Sequence, residues 1–408
     1  MKIGVKSMRS ILLALFGTVM VWVFSPVVAQ SDSADEIQAL RVQVEHLLAR
    51  LEALDRSLSG TAEFEAVPLA PRPEPASSWA ETVTVVGDLR YRHETINEEG
   101  LNARQRHRIR ARLGISGDLA DNLSVGVGLT TGGSNPISGN QTLGDGFSHK
   151  DLDLDYAYFD WGLTEELSLV GGKMKNPFYR PGSHHLIYDD DLHPEGLALR
   201  YRSGRLFANV GGFWVEERAA DDDSIMIGAQ AGYKATSVNG TTLTAGFSYY
   251  TYDAAKGRSP FFFAAGNQLD ASDNYLTDFD ELELFGEISF ALAGQPLTLF
   301  LDYVTNTATN AFDDGFALGA TYRDASAPGS WDLSYVYQDL QANAIVATFS
   351  DSDWGGGGTD AKGHFFRTNY VLPGGWKLRF TYFMNQRGEA EGSLRDYKRL
   401  QADINFTF

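Results

Sequence analysis

"RQRHRIRARLG", residues 104–114, carries an arginine at every second position: Arg104, Arg106, Arg108, Arg110 and Arg112, separated by Gln105, His107, Ile109 and Ala111. On a helix this spacing would scatter the guanidinium groups around the axis. On an extended strand it sets them on one face, ~7 Å apart. Carried on to residue 118, the other face is Ile109, Ala111, Leu113, Ile115 and Gly117. The preceding segment repeats the pattern, with Leu89 and Tyr91 on one side and Arg90 and Arg92 on the other. The stretch therefore reads as strand, and what each face meets decides both fold and function.

The same period of two recurs down the chain. Leu123, Val125, Val127 and Leu129 alternate with Ser124, Gly126 and Gly128; Trp331, Leu333, Tyr335 and Tyr337 with Asp332 and Ser334; Trp376, Leu378, Phe380, Tyr382 and Met384 with Lys377, Arg379, Thr381, Phe383 and Asn385. About sixteen such segments start near Thr82, Arg106, Leu123, Leu152, Leu167, Leu197, Leu206, Ile225, Thr242, Glu281, Leu297, Phe316, Trp331, Phe365, Trp376 and Tyr397. Short turns alternate with long polar loops at 132–150, 176–196, 253–280 and 341–363.

The N-terminus sets the compartment. Lys2, Lys6 and Arg9 precede an apolar run, Ile11 to Phe24, and Val27-Val28-Ala29 offers a cleavage site, so residues 1–29 read as a secretory signal peptide. No later apolar run reaches the ~18 residues of a spanning helix. The chain has no cysteine, so the exported protein is held by packing and strand pairing without disulfides. In residues 34–58, Ile37, Leu40, Val44, Leu47, Leu51, Leu54 and Leu58 form an unbroken heptad seam, a short coiled-coil helix. Ile and Val at a with Leu at d favour two strands, whereas Arg50-Leu51-Glu52-Ala53-Leu54-Asp55 resembles the Arg-apolar-x-x-apolar-Glu trimerisation motif of short coiled coils, with Asp in place of Glu, and a trimer is expected. Residues 61–79, with Pro68, Pro71, Pro73 and Pro75, read as an extended linker.

An exported chain with an even number of alternating strands, short turns at one end and long loops at the other describes an all-β fold. It is a sixteen-stranded antiparallel transmembrane barrel over 80–408, preceded by the coiled coil. A soluble sandwich has the same period, but ~330 residues is large for one, and aromatics recur at the strand ends. The chain ends "ADINFTF", with Ala402, Ile404, Phe406 and Phe408 on one face.

This ending resembles the assembly signal of bacterial outer-membrane barrels, and "GGKMKNPF" (171–178) resembles a Gly-x-x-Lys-x-Pro-Phe element of trimeric porins. Over residues 80–408 the chain is similar to the bacterial outer-membrane "putative porin" group, with looser likeness to the phosphate-selective porins. The resemblance implies a homotrimer in outer-membrane lipid that passes small hydrophilic solutes and ions, with Phe408 as assembly signal. It also implies that the third long loop, 176–196, folds into the barrel and sets the constriction.

Charge near the bilayer midplane costs about 2–4 kcal/mol on the lipid side. Ile109 and its odd-numbered companions should therefore meet lipid, and Arg90, Arg92, Arg106, Arg108, Arg110 and Arg112 should line the water-filled interior. Closely spaced arginines call for acids. Asp151, Asp153 and Asp155 alternate with Leu152, Leu154 and Tyr156, which sends the aspartates inward, within reach of Arg110 and Arg112 over the small residues of strand 123–130. Asp189, Asp190, Asp191 and Glu195 on loop 176–196 should confront the arginines across water, giving a charged constriction.

Other patterns point to no chemistry. His184, His185 and His193 beside Asp189–Asp191 match no ligand spacing and read as a solvated loop, so no metal is expected. Asp221–Asp223 and Asp351/Asp353 lack an EF-hand spacing. Gly355–Gly358 reads as a flexible tip without the Lys-Ser/Thr of a phosphate loop. The net charge of −19 argues against nucleic acid. No Gly-x-Ser-x-Gly is present, so no enzyme and no cofactor are expected. The expectation is a passive porin. The alternatives are an anion-selective channel for phosphate or organic acids, and a tether to peptidoglycan through the coiled coil with an incidental pore.

Overall fold

The computed structural model describes residues 82–408. The signal peptide, the heptad segment and the Pro-rich linker lie outside the described residues. Sixteen long strands follow one another: β1 Thr84–Glu98, β2 Arg104–Ala120, β3 Leu123–Thr130, β4 Asp153–Gly162, β5 Leu167–Lys173, β6 Glu195–Ser203, β7 Leu206–Glu216 and β8 Ser224–Thr236. Then come β9 Thr242–Tyr252, β10 Phe279–Leu292, β11 Gln295–Asn306, β12 Asp314–Tyr322, β13 Trp331–Leu340, β14 Ala361–Val371, β15 Lys377–Arg387 and β16 Arg395–Thr407. A two-residue segment, Gln141–Thr142, adds to the edge of β2 at Arg108 and Ile109. Every expected strand start lies within four residues of its observed one.

Each strand pairs antiparallel with its neighbours in sequence, and β16 returns to β1, from Asp88↔Thr407 to Glu98↔Tyr397. Gly87 and Phe408 exchange backbone hydrogen bonds of 2.8 and 3.0 Å at the seam. Closure leaves no sheet edge, the condition for strands to stand in hydrocarbon. Leu89, Tyr91, Leu113, Ile115, Val127, Leu199, Phe247 and Leu301 are exposed on the outer surface, whereas Arg90, Arg92, Glu94, Gln230, Asp302 and Asp403 are buried inside. This polarity is the reverse of a soluble sandwich. A charged interior and an apolar exterior are stable only with water inside and lipid outside.

The lumen is not an open bore. Loop 174–194 and loop 341–360 fold inward and pack an apolar cluster against β5 to β15, with Phe178, Leu186, Tyr188, Tyr250, Phe279, Ile345, Trp354, Phe365 and Phe383 all buried. The sequence reads 341–363 as an outward polar loop and Gly355–Gly358 as its flexible tip; instead Trp354 is 1% exposed. The glycines allow the burial: Gly355, Gly356, Gly357 and Gly358 all take positive φ, which lets the backbone turn back on itself inside the barrel.

Candidate functional site

Each lumenal side chain is placed by strand parity. On β1, Asp88, Arg90, Arg92 and Glu94 point inward; on β2, Arg106 to Arg112 do so. The register sets Arg112 opposite Asp88, Arg110 opposite Arg90, Arg108 opposite Arg92 and Arg106 opposite Glu94. Acids at the two ends of the row therefore meet arginines directly. Asp88 binds Arg110 at 3.0 Å and Arg112 at 2.5 Å. Glu94, with no exposed side-chain surface, binds Arg106 at 2.5 Å and Arg399 of β16 at 2.5 Å, with Arg108 at 3.8 Å. Arg92 forms a two-pronged pair with Asp403 of β16, at 2.7 and 2.8 Å.

The inward loops supply the remaining acids. Asp191 reaches Arg110 at 3.1 Å and Arg112 at 3.0 Å. Asp353 reaches Arg92 at 2.8 Å and Arg399 at 2.7 Å. Burial alone would raise both carboxyls. Arg110 and Arg112 nevertheless hold Asp191 below its usual range, and Arg399 and Arg92 hold Asp353 well below it.

Of the loop acids expected at the constriction, only Asp191 touches the arginine row, and it does so in contact rather than across water. Asp190 turns to Arg180 of its own loop at 2.5 Å, which outweighs burial and lowers its carboxyl. Asp189 is buried under the loop, where it accepts the backbone N–H of Asp191 and of Ser352, each at 2.9 Å. Glu195 is exposed and pairs with Lys173 at 2.9 Å.

The expected reach of Arg110 and Arg112 to Asp151 and Asp153 does not occur. Asp88 and Asp191 already occupy both guanidinium groups, and Asp151 and Asp153 lie exposed at the β4 end of the wall. A β-bulge between Gly128 and Leu129 also shifts the parity of β4. Tyr156 consequently points inward across Gly114 and Gly128, and not to lipid as simple alternation implies. Asp155 pairs with His193 Nδ1 at 2.9 Å. His184 and His193 are buried, contrary to a solvated loop, and His184 Nε2 meets Gln338 at 2.6 Å.

Sequence reasoning missed Asp88, Glu94, Arg399, Asp403, Arg367 and Arg379 as members of this wall, although the parity of β14 to β16 sends the last four inward. Arg90, Arg367 and Arg379 have no carboxylate within 4.0 Å among the described residues. Arg90 donates to Asn140 Oδ1 at 2.6 Å, Arg379 donates to Asn369 Oδ1 at 2.7 Å, and Arg367 lies 4.6 Å over the Phe365 ring. Desolvated guanidinium groups without a counter-charge are costly unless an anion visits them.

Three cavities run in series beside the wall. One of ≈ 490 Å³ is lined by Ser134, Asn135, Asp153, Lys173, Phe261 and Phe262. It shares Arg112, Asp155 and His193 with a second of ≈ 570 Å³, lined also by Asp88, Tyr156 and Lys175. That one shares Asn176 and Arg180 with a third of ≈ 520 Å³, lined by Tyr179, Arg202, Arg205 and Lys234. The third cavity is lined by the cations Arg180, Arg202, Arg205 and Lys234.

Known structures share the architecture. Pseudomonas putida OprB is similar at TM-score 0.55 and 13% identity, over 81% of this chain and 95% of that one. A mutant of Rh. blastica porin is similar at TM-score 0.49 and 12% identity, over 80% and 100%. No curated protein matches the sequence. The family described as "Putative porin" matches residues 95–281 and 283–408, nearly the whole barrel, and the chain belongs to that family.

Proposed function

We propose that this porin is a homotrimeric channel of the bacterial outer membrane, through which small hydrophilic solutes and ions diffuse passively, and that its constriction favours anions. The observation that carries the anion bias is the trio Arg90, Arg367 and Arg379, inward-facing cations with no carboxylate in ion-pair range among the described residues. Paired arginines add no net field, but unpaired ones draw anions into the narrow passage. The series of cavities supports passage of solute, and the cationic end at Arg202, Arg205 and Lys234 supports the same sign of preference.

The zero-current potential of the purified channel in a salt gradient across a planar bilayer tests the reading. An anion-favouring potential supports it. A cation-favouring one overturns the bias, and absence of single-channel steps overturns the channel. The trimer rests on the heptad seam and on the likeness to trimeric porins, and contact of the coiled coil with peptidoglycan on the heptad seam; cross-linking of intact cells tests both.

A further inference from the structure

The inward fold of two loops brings together three side chains that no spacing in the sequence connects. His185 and Asp189 come from loop 174–194, and Asp351 from loop 341–360. Their donor atoms all lie within 4.8 Å of one another. Asp189 and Asp351 are both nine-tenths buried or more. Neither has a lysine or arginine within 4.0 Å among the described residues, and Arg367 acts on Asp351 only from beyond that distance. Each is oriented by two backbone N–H groups: Asp189 by Asp191 and Ser352, Asp351 Oδ1 by Asp353 and Trp354 at 2.7 and 3.3 Å. A carboxylate oxygen has two lone pairs, so acceptor capacity remains on both. Asp351 Oδ2 receives no hydrogen bond, and the His185 ring has no hydrogen-bond partner among the described residues.

We infer that His185, Asp189 and Asp351 bind one divalent first-row metal ion of the Zn²⁺ type, which pins the constriction loop to the second inward loop. The donor set is one imidazole and two carboxylates, which suits Zn²⁺ with water in the fourth position and not Ca²⁺, which takes six to eight oxygens. Donors around tetrahedral Zn²⁺ stand roughly 3.4 Å apart, so the site needs a closure of up to about 1.4 Å. The backbone N–H groups act as the outer shell that fixes carboxylate orientation. The loops already touch here, through Asp189 N–H to Phe349 O at 2.8 Å and Ser350 Oγ to Leu186 O at 3.0 Å. Two residues beyond Asp189, Asp191 holds Arg110 and Arg112, so an ion at this site stiffens the loop that carries Asp191 to the arginine row.

The test uses the full-length protein, purified in detergent, stripped with EDTA and titrated at pH 7.5 with Zn²⁺ and, for its visible spectrum, Co²⁺. One equivalent per chain is expected, with ligand-field bands from Co²⁺ and quieter single-channel current on adding Zn²⁺. H185Q and D351N should each weaken binding at least tenfold while keeping the barrel's circular dichroism and channel steps. H107Q, which alters the outward-facing His93–His107 pair, should leave binding unchanged. No stoichiometric uptake by wild type, as expected if the two carboxyls merely share a proton, would overturn the inference. So would binding lost in H107Q and retained in H185Q. Neither result touches the porin reading, which stands on the zero-current potential.

Discussion

Glu94 shows how a single side chain sets the charge of the wall. It has no exposed side-chain surface and pairs with both Arg106 and Arg399, one negative charge shared between two cations, while standing 3.8 Å from Arg108. Removing one partner of a buried pair costs about 3–5 kcal/mol, because the other charge stays behind. E94Q should therefore lower the denaturation midpoint of the barrel and move the zero-current potential further toward anions. An unchanged potential would mean that Asp353 alone suffices for Arg399. Gly128 is a second decisive position, chosen by close approach and not by dihedral angle: a Cβ there would sit 2.2 Å from the Tyr156 ring. G128V must displace Tyr156 within the cavity it lines with Asp88 and Lys175. Overpacking of this kind costs about 1–3 kcal/mol. The expected result is a folded, heat-modifiable barrel with reduced single-channel conductance; unaltered conductance would show that Tyr156 does not border the path.

Among the elements, the two inward loops make the pore what it is. Loop 341–360 is held by Trp354, which packs edge-on to Phe383 at a centroid distance of 6.4 Å. Truncating a buried aromatic costs about 3–5 kcal/mol, and here the loss falls on one loop while the strand ladder persists. W354A should accordingly raise conductance and current noise while β content by circular dichroism stays at the wild-type level; a wild-type conductance would place the loop's anchorage elsewhere. The strands themselves were plain in the sequence, because a period of two over many residues survives any tertiary context. The loops were not. Asp353 and Asp191 stand in polar stretches that look like surface, and nothing local distinguishes an acid bound for solvent from one bound for a guanidinium group across the barrel.

For the whole molecule, the unpaired cations should decide selectivity. The variant carrying R90S, R367S and R379S removes them without breaking an ion pair, so stability should hardly change while the anion preference falls. A preference that survives would shift attention to Arg202, Arg205 and Lys234 at the far cavity. Parity by itself determined much: sixteen strands, the lipid face through Leu89, Leu113 and Ile115, and the inward arginines. An odd–even choice is local and has one solution when charge must avoid hydrocarbon. Tertiary structure alone decided the partners. Asp88 and Glu94 are set against the arginines by strand register, Asp403 and Arg399 by closure of a ring between positions some 300 residues apart, Tyr156 by a bulge, and Asp191, Asp353, His185 and Asp351 by loops turning inward. Which charges meet across a closed cylinder depends on its register and its filling, and neither is written in any short stretch of chain.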